Sequence, residues 1–465
     1  MASCWQGELR YLPMWQALRN LLGAVLRSCL LLSAFLGAWW LRPAYPEGLR
    51  PPSEPYFLGF LISLPIGIAL ICWLLLGLQG LGSALRDERR WWLLAVLLLM
   101  AWAALSPTWA RYDQVAGSSA LQFLVVAAVG VMALCTPINA RALVGALAAG
   151  ALVQSVVVIA QMGLQDDLGL RWLGELNLYE GRRGLSVLHA GELRLLRPYG
   201  LSVHPNVVGG YLAVSILALS AWLFSVGETW RWLVRMLTFG LCLCALCLTF
   251  SRSAWLACLG TGFGLVVWAA WRRLWSRAVL RRALWASALS ASILAVFSVA
   301  YMPFLLARAG VGGEAVEQIS VAQRAIFVAF AQEIIREYPI AGTGIGTFAW
   351  EARDRLVRSP YRDLLRAENV HSVPLLVLSE LGLVGFGLWS ATFIAWMRVV
   401  WWHRDDPFKT ALAAGASALF LIGLVDFYPF GIFSMHCLWF LLSSSTLNRS
   451  NRIATDLRKC PAPTT

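Results

Sequence analysis

The chain has 465 residues, 59% of them hydrophobic and only 14% charged, with 24 tryptophans and a formal net charge of +13. A soluble globular domain is roughly half apolar and a quarter charged, so this composition excludes that class and places the chain in a bilayer. The positive charge needs no nucleic-acid partner, because arginines flanking apolar runs answer first to anionic lipid and to topology.

A membrane span takes about 20 mostly apolar residues. On that rule twelve are expected, at 20–41, 56–80, 91–109, 117–136, 141–163, 204–226, 232–250, 253–271, 283–305, 371–397, 409–425 and 427–446. The first reads as a transmembrane helix and not a cleavable signal peptide: its apolar run begins near Leu21 and no small-residue cleavage site follows it. Between spans, arginines and lysines concentrate on one side. Arg86, Arg89 and Arg90, then Arg231 and Arg235, then Arg272 through Arg282, then Arg398, Arg404 and Lys409, and finally Arg449, Arg452, Arg458 and Lys459 fall in alternate segments and the tail. The short segments of the opposite side hold only Arg42, Arg50, Arg111 and Arg252. The positive-inside rule then places both termini in the cytoplasm.

The expected fold class is therefore all-α. It is a polytopic, multi-pass integral membrane protein, one domain over residues 1–465, with about 12 transmembrane helices. A first long outer loop covers 164–203, and a large, partly helical outer loop covers 306–370 between spans nine and ten.

These two loops break the charge bias. They carry five and eight arginines, the second without a single lysine. Long loops translocate regardless of charge, so the topology stands. In the second loop Ile319, Ala322, Ile326, Phe330 and Ile334 recur at helical spacing from Glu314 to Tyr338 and stop before Pro339. That predicts an amphipathic helix with Arg324 off its apolar face. Farther on, Arg355, Arg358, Arg362 and Arg366 would fall within about 80° of one another on a helix, forming a basic stripe suited to lipid head groups or to an anionic substrate. Arginine's planar fork binds two phosphate oxygens and keeps its charge.

Three other features invite chemistry. His371 opens span ten at the end of Glu368-Asn369-Val370-His371, where an imidazole can take a proton from a hydroxyl. His204-Pro205-Asn206 follows Arg197-Pro198 and fits a helix first turn, with His204 either a cap or a site residue. Gly342-Thr343-Gly344-Ile345-Gly346 imitates a phosphate loop but lacks a lysine and a preceding strand, so a glycine-mediated re-entry toward the membrane is the better reading. No role falls to His189, His403 or His436. Metal binding is not expected: Asp166-Asp167 is adjacent rather than spaced for chelation, and Cys242, Cys244 and Cys247 sit inside a membrane run without acidic or histidine partners.

Four segments together resemble the O-antigen ligase and O-antigen polymerase superfamily of bacterial membrane proteins. They are Arg197 to Asn206 with the Gly-Gly-Tyr-Leu that trails it, Thr249 to Trp255, Arg324 to Phe348, and Glu368 to Gly385. The resemblance implies a glycosyltransferase that moves a glycan from undecaprenyl diphosphate to a lipid or glycan acceptor, inverting the anomeric carbon, with no cofactor and no metal. It implies that Arg252 and Arg324 hold the diphosphate and that His371 activates the acceptor hydroxyl; Arg197, His204 and Asn206, in the first of the four segments, are expected to bind substrate beside them. Some members of the superfamily have been named as candidate bicarbonate transporters, so transport of a small anion is the alternative. A transporter concentrates ionisable groups near the bilayer midplane, where this chain offers only Arg27 and Glu380.

Overall fold

The computed structural model describes residues 2–40, 61–179, 184–225, 229–310, 315–362, 364–402 and 406–448. Arg42, Arg50, Glu314, His403, Arg404, Arg449, Arg452, Arg458 and Lys459 lie outside the described residues. Apolar runs become helices throughout, since in lipid a helix alone satisfies its own backbone. In chain order the first six are α1 (Ala2–Phe35), α2 (Ser63–Leu75), α3 (Leu81–Ala84), α4 (Arg90–Leu105), α5 (Asp113–Cys135) and α6 (Ala140–Leu164). A hairpin of β1 (Val187–Ala190) and β2 (Leu193–Leu196) follows. Then come α7 (Pro205–Phe224), α8 (Thr229–Leu248), α9 (Arg252–Trp271), α10 (Arg277–Ala300), α11 (Met302–Arg308), α12 (Ala315–Glu337) and α13 (Phe348–Val357). The chain closes with α14 (Val373–Trp402), α15 (Pro407–Gly423), α16 (Tyr428–Gly431) and α17 (Phe433–Leu447).

Among the described residues, nine helices are long and apolar enough to cross a membrane. The remaining three expected spans coincide with α2, α15 and α17, of 13, 17 and 15 residues. At about 1.5 Å per residue these reach only some 20–26 Å, short of a hydrocarbon core of about 30 Å. Leu259, Phe263, Leu284, Val296 and Ile394 stand well exposed on α9, α10 and α14, as lipid-facing side chains do. This is a multi-pass membrane protein.

α7 is the centre of the bundle. It packs on α6, α8, α9 and α15, and Gly209 and Gly210 let it close on its neighbours. A Cβ at Gly210 would lie 2.2 Å from the Tyr428 hydroxyl, and one at Gly209 2.9 Å from Ser251 Cβ. The junctions on both sides of the future site are thereby drawn against the first turns of α7.

α14 is broken at Gly382, whose φ of 65° and ψ of −169° interrupt the helix. The break has an occupant. Thr343 and Gly344 N–H groups donate to the Ser379 and Glu380 carbonyls at 3.0 and 2.8 Å, and the Leu383 N–H donates back to the Pro339 carbonyl at 2.8 Å. Glu380, 2% exposed, accepts from the Phe348 N–H at 3.2 Å and so holds the start of α13. The glycine loop therefore plugs a helix break. Gly382→Ala is expected to destabilise the protein by about 3 kcal/mol: the backbone there suits only glycine, and the added Cβ would fall 2.1 Å from the Ile340 carbonyl oxygen. Thermal unfolding in detergent measures this, and an unchanged midpoint would refute it.

The long connections depart from expectation in three ways. The first carries the antiparallel β1–β2 hairpin in place of helix, because Gly191 (φ 59°) allows a two-residue turn between two short apolar runs. In the second, the buried face of α12 is Phe327, Ala331 and Ile334, packed on Phe348, Ala352, Val370 and Leu376, while Ala322 is exposed; the side chain of Ile319 lies outside the described residues. Burying Phe327 and Ile334 stabilises this layer by roughly 1.5–3 kcal/mol each. The helix is thus rotated from its predicted pose, and Arg324, three residues before Phe327 and seven before Ala331, shares the buried stripe. Finally, the basic stripe does not form. α13 stops at Val357, ahead of Ser359-Pro360, because a residue preceding proline is pushed out of the helical region. Arg355 instead joins Glu351 at 2.9 Å, Glu333 at 3.4 Å and Glu337.

Candidate active site

Between α8 and α9 only Thr249, Phe250 and Ser251 turn the chain. Phe250 does so in the left-handed region at φ 51°, a conformation costing a non-glycine residue about 1–2 kcal/mol. A helix end leaves carbonyls without intrahelical partners, and here arginines take them. Arg197 Nε donates to the Thr249 carbonyl and Arg308 Nη2 to the Phe250 carbonyl, both at 2.8 Å. Arg252 Nη1 donates in turn to the Arg308 carbonyl at 2.8 Å. Three arginines distant in sequence are fastened around one helix break.

Arg197, 4% exposed, spends its other nitrogens on Ser186 Oγ and Asn206 Oδ1, each at 2.8 Å. Burial, reinforced by Arg308 and Arg252, pulls its pKa down to about 9, so it remains charged at neutral pH. The Asn206 carboxamide passes the connection on, donating from Nδ2 to Asp426 Oδ2 at 3.0 Å. His204 caps α7: its backbone is extended, its Nδ1 accepts from the Asn206 N–H at 3.1 Å, and Pro205 occupies the first turn. Burial, with Arg197 and His371 nearby, lowers the His204 pKa to about 3 and keeps the imidazole neutral.

His371 sits just ahead of α14, its ring edge-on to Phe427 with centroids 5.4 Å apart. Burial lowers its pKa, Arg324 pushes the same way and Asp426 opposes. Asp426, buried between α15 and α16, has its pKa raised by burial against the pull of His371, Asn206 and Arg324. His371 Nδ1 is buried without a hydrogen-bond partner among the described residues. An orphaned buried nitrogen is costly, and a neutral imidazole so placed can accept a proton.

These side chains open on one cavity of about 260 Å³. Five of the six residues singled out from sequence line it: Arg197, His204, Asn206, Arg324 and His371. Arg252 does not; it is tied to the lining residue Arg308 through that residue's carbonyl. Arg308 itself, Gln323, Glu368, His189 and Ser186 complete the polar wall among the described residues. Sequence reasoning missed these five as site residues. His189 was given no role because its strand was not foreseen, yet β1 aims it into the cavity. Glu368 lies three residues before His371 and could have been suspected. Asp426, an acidic residue between two apolar runs, carried a signal but no partner. Among the described residues no group of three or more His, Cys, Asp or Glu side chains is disposed to hold a metal ion.

Residues 237–390 match the O-antigen ligase family model. This match supports the O-antigen ligase and polymerase superfamily and implies a glycosyl-transferring enzyme, with a lipid-linked glycan and an acceptor as its substrates. The O-antigen ligase segment contains Arg252, Arg308, Arg324, Glu368 and His371, while Arg197, His204, Asn206 and Asp426 lie outside it. A comparison with curated proteins gives no match.

Proposed function

We propose that this protein transfers a glycan from undecaprenyl diphosphate to an acceptor hydroxyl at the outer face of a bacterial inner membrane, inverting the anomeric carbon without a metal. The observation that carries the reading is the convergence of Arg197, Arg308 and Arg324 with His371 on one cavity. In the reaction the acceptor oxygen bonds to the anomeric carbon as the bond from that carbon to the diphosphate oxygen breaks. His371 receives the hydroxyl proton, and the arginines balance the charge that grows on the departing diphosphate. Arg252 acts on the donor through Arg308, whose carbonyl it holds. His204 and Asn206 keep Arg197 and Asp426 in register. Anion transport, the alternative reading, gains no support from the O-antigen ligase match.

The test is reconstitution of purified protein with an undecaprenyl-diphosphate-linked glycan and three acceptors: a lipid core, a further repeat unit and a peptide. Transfer that persists in excess EDTA is the expected result, and the acceptor used separates ligase from polymerase. Absence of transfer to all three acceptors, with intact donor and folded protein, would overturn the proposal.

A further inference from the structure

Glu368 is unexpected in a cavity lined by arginines. Among the described residues it contributes the one carboxyl to a wall whose charged groups otherwise include Arg197, Arg308 and Arg324. The arginines suit phosphate, and the Glu368 side of the wall suits something uncharged that offers hydroxyls. Three observations describe that side. Gln323 Nε2 donates to Glu368 Oε1 at 2.7 Å, which fixes the carboxyl in the cavity wall. The same stretch of chain brings Glu368 to His371, three residues on, where the attacking hydroxyl must lie if His371 is the base. Leu185, Val187 and Leu188 of the hairpin segment supply an apolar wall to the same cavity, of the kind against which the C–H face of a sugar ring packs.

From this juxtaposition we infer that Glu368, braced by Gln323, reads the acceptor: it binds the hydroxyl adjacent to the one that attacks. The assignment rests on the transfer reading above and adds to it the residue that selects the acceptor. Burial, with Asp426 adding and Arg324 and Gln323 opposing, holds the Glu368 pKa up near about 7. A carboxyl so raised is partly neutral at pH 7, and it can donate to a hydroxyl as well as accept from one. A polar group built to receive a hydroxyl penalises an analogue that lacks it, because the buried partner is left unsatisfied.

The experiment uses the reconstituted full chain, the acceptor wild type uses best, and the same acceptor lacking the hydroxyl adjacent to the glycosylated one. Glu368→Ala is expected to lower acceptor kcat/KM by about tenfold or more with the donor KM within about twofold, and to stop discriminating between acceptor and deoxy analogue. Glu368→Gln, which keeps the shape and an acceptor oxygen, should recover part of both; its melting midpoint guards against a folding defect. A rise in donor KM alone, unchanged discrimination, or a wild type that uses only the peptide would overturn the assignment while leaving transfer intact. A wild type that transfers to nothing would overturn both together.

Discussion

His371→Ala is expected to reduce transfer by about 10²–10⁴-fold, the range over which a positioned general base contributes, while leaving the melting midpoint near that of wild type. The two halves of this expectation share one cause. The ring meets Phe427 edge-on and its Nδ1 makes no hydrogen bond among the described residues, so the fold invests little in the imidazole beyond its pull on Asp426, which Asn206 and Arg324 continue to hold. The pH profile provides a second readout. Burial depresses the pKa of His371 from its ordinary value of 6.5, which keeps the base neutral into more acid solution. The acid limb of kcat/KM should therefore fall below pH 6.5. Transfer by the alanine variant within tenfold of wild type would remove His371 as the base.

Arg197→Ala should fail in the opposite manner, through the fold as much as the chemistry. The guanidinium is buried and spans the Thr249 carbonyl, Ser186 and Asn206. Deleting it leaves the buried Thr249 carbonyl and the half-buried Ser186 and Asn206 side chains without their donor. A loss of about 3 kcal/mol or more in stability is expected, visible as a lower melting midpoint, together with loss of donor binding. Arg197→Lys should not repair it, because one ammonium cannot replace three directed N–H donors on three segments. Wild-type melting and transfer in Arg197→Ala would disprove this account of how the site is held.

What the sequence disclosed, and what it withheld, follows from the range of each interaction. The apolar runs were legible because a bilayer demands long uninterrupted ones, and nine of the expected twelve are matched by helices of sufficient length among the described residues. α2, α15 and α17 were overestimated because turn residues at their ends are as apolar as the helices themselves. His204 announced its capping role, since Pro205 and Asn206 are local to it. The facing of α12 was not legible. Two apolar stripes compete on that helix, and packing against Phe348 and Val370 selects the one that includes Phe327, which turns Arg324 toward the cavity. The partnership of Arg308 with Phe250, 58 positions away, leaves no periodic trace at all. Nor does Glu368, whose meaning appears only once Gln323 is beside it.

The break at Gly382 gives the two parts of α14 different masters. Residues 373–381 bury Val373, Leu376, Val377 and Leu381 against the protein, whereas Leu383, Ile394, Met397 and Trp401 beyond the break face outward. The short first part, at whose head His371 stands, is pinned to the glycine loop through Thr343 and Gly344, while the second is held separately, Trp396 Nε1 donating to Thr446 Oγ1 at 3.0 Å and Phe393 stacking on Phe420. Gly382 thus divides one apolar run between two tasks: the near part sets where the histidine stands, and the far part turns an apolar face outward.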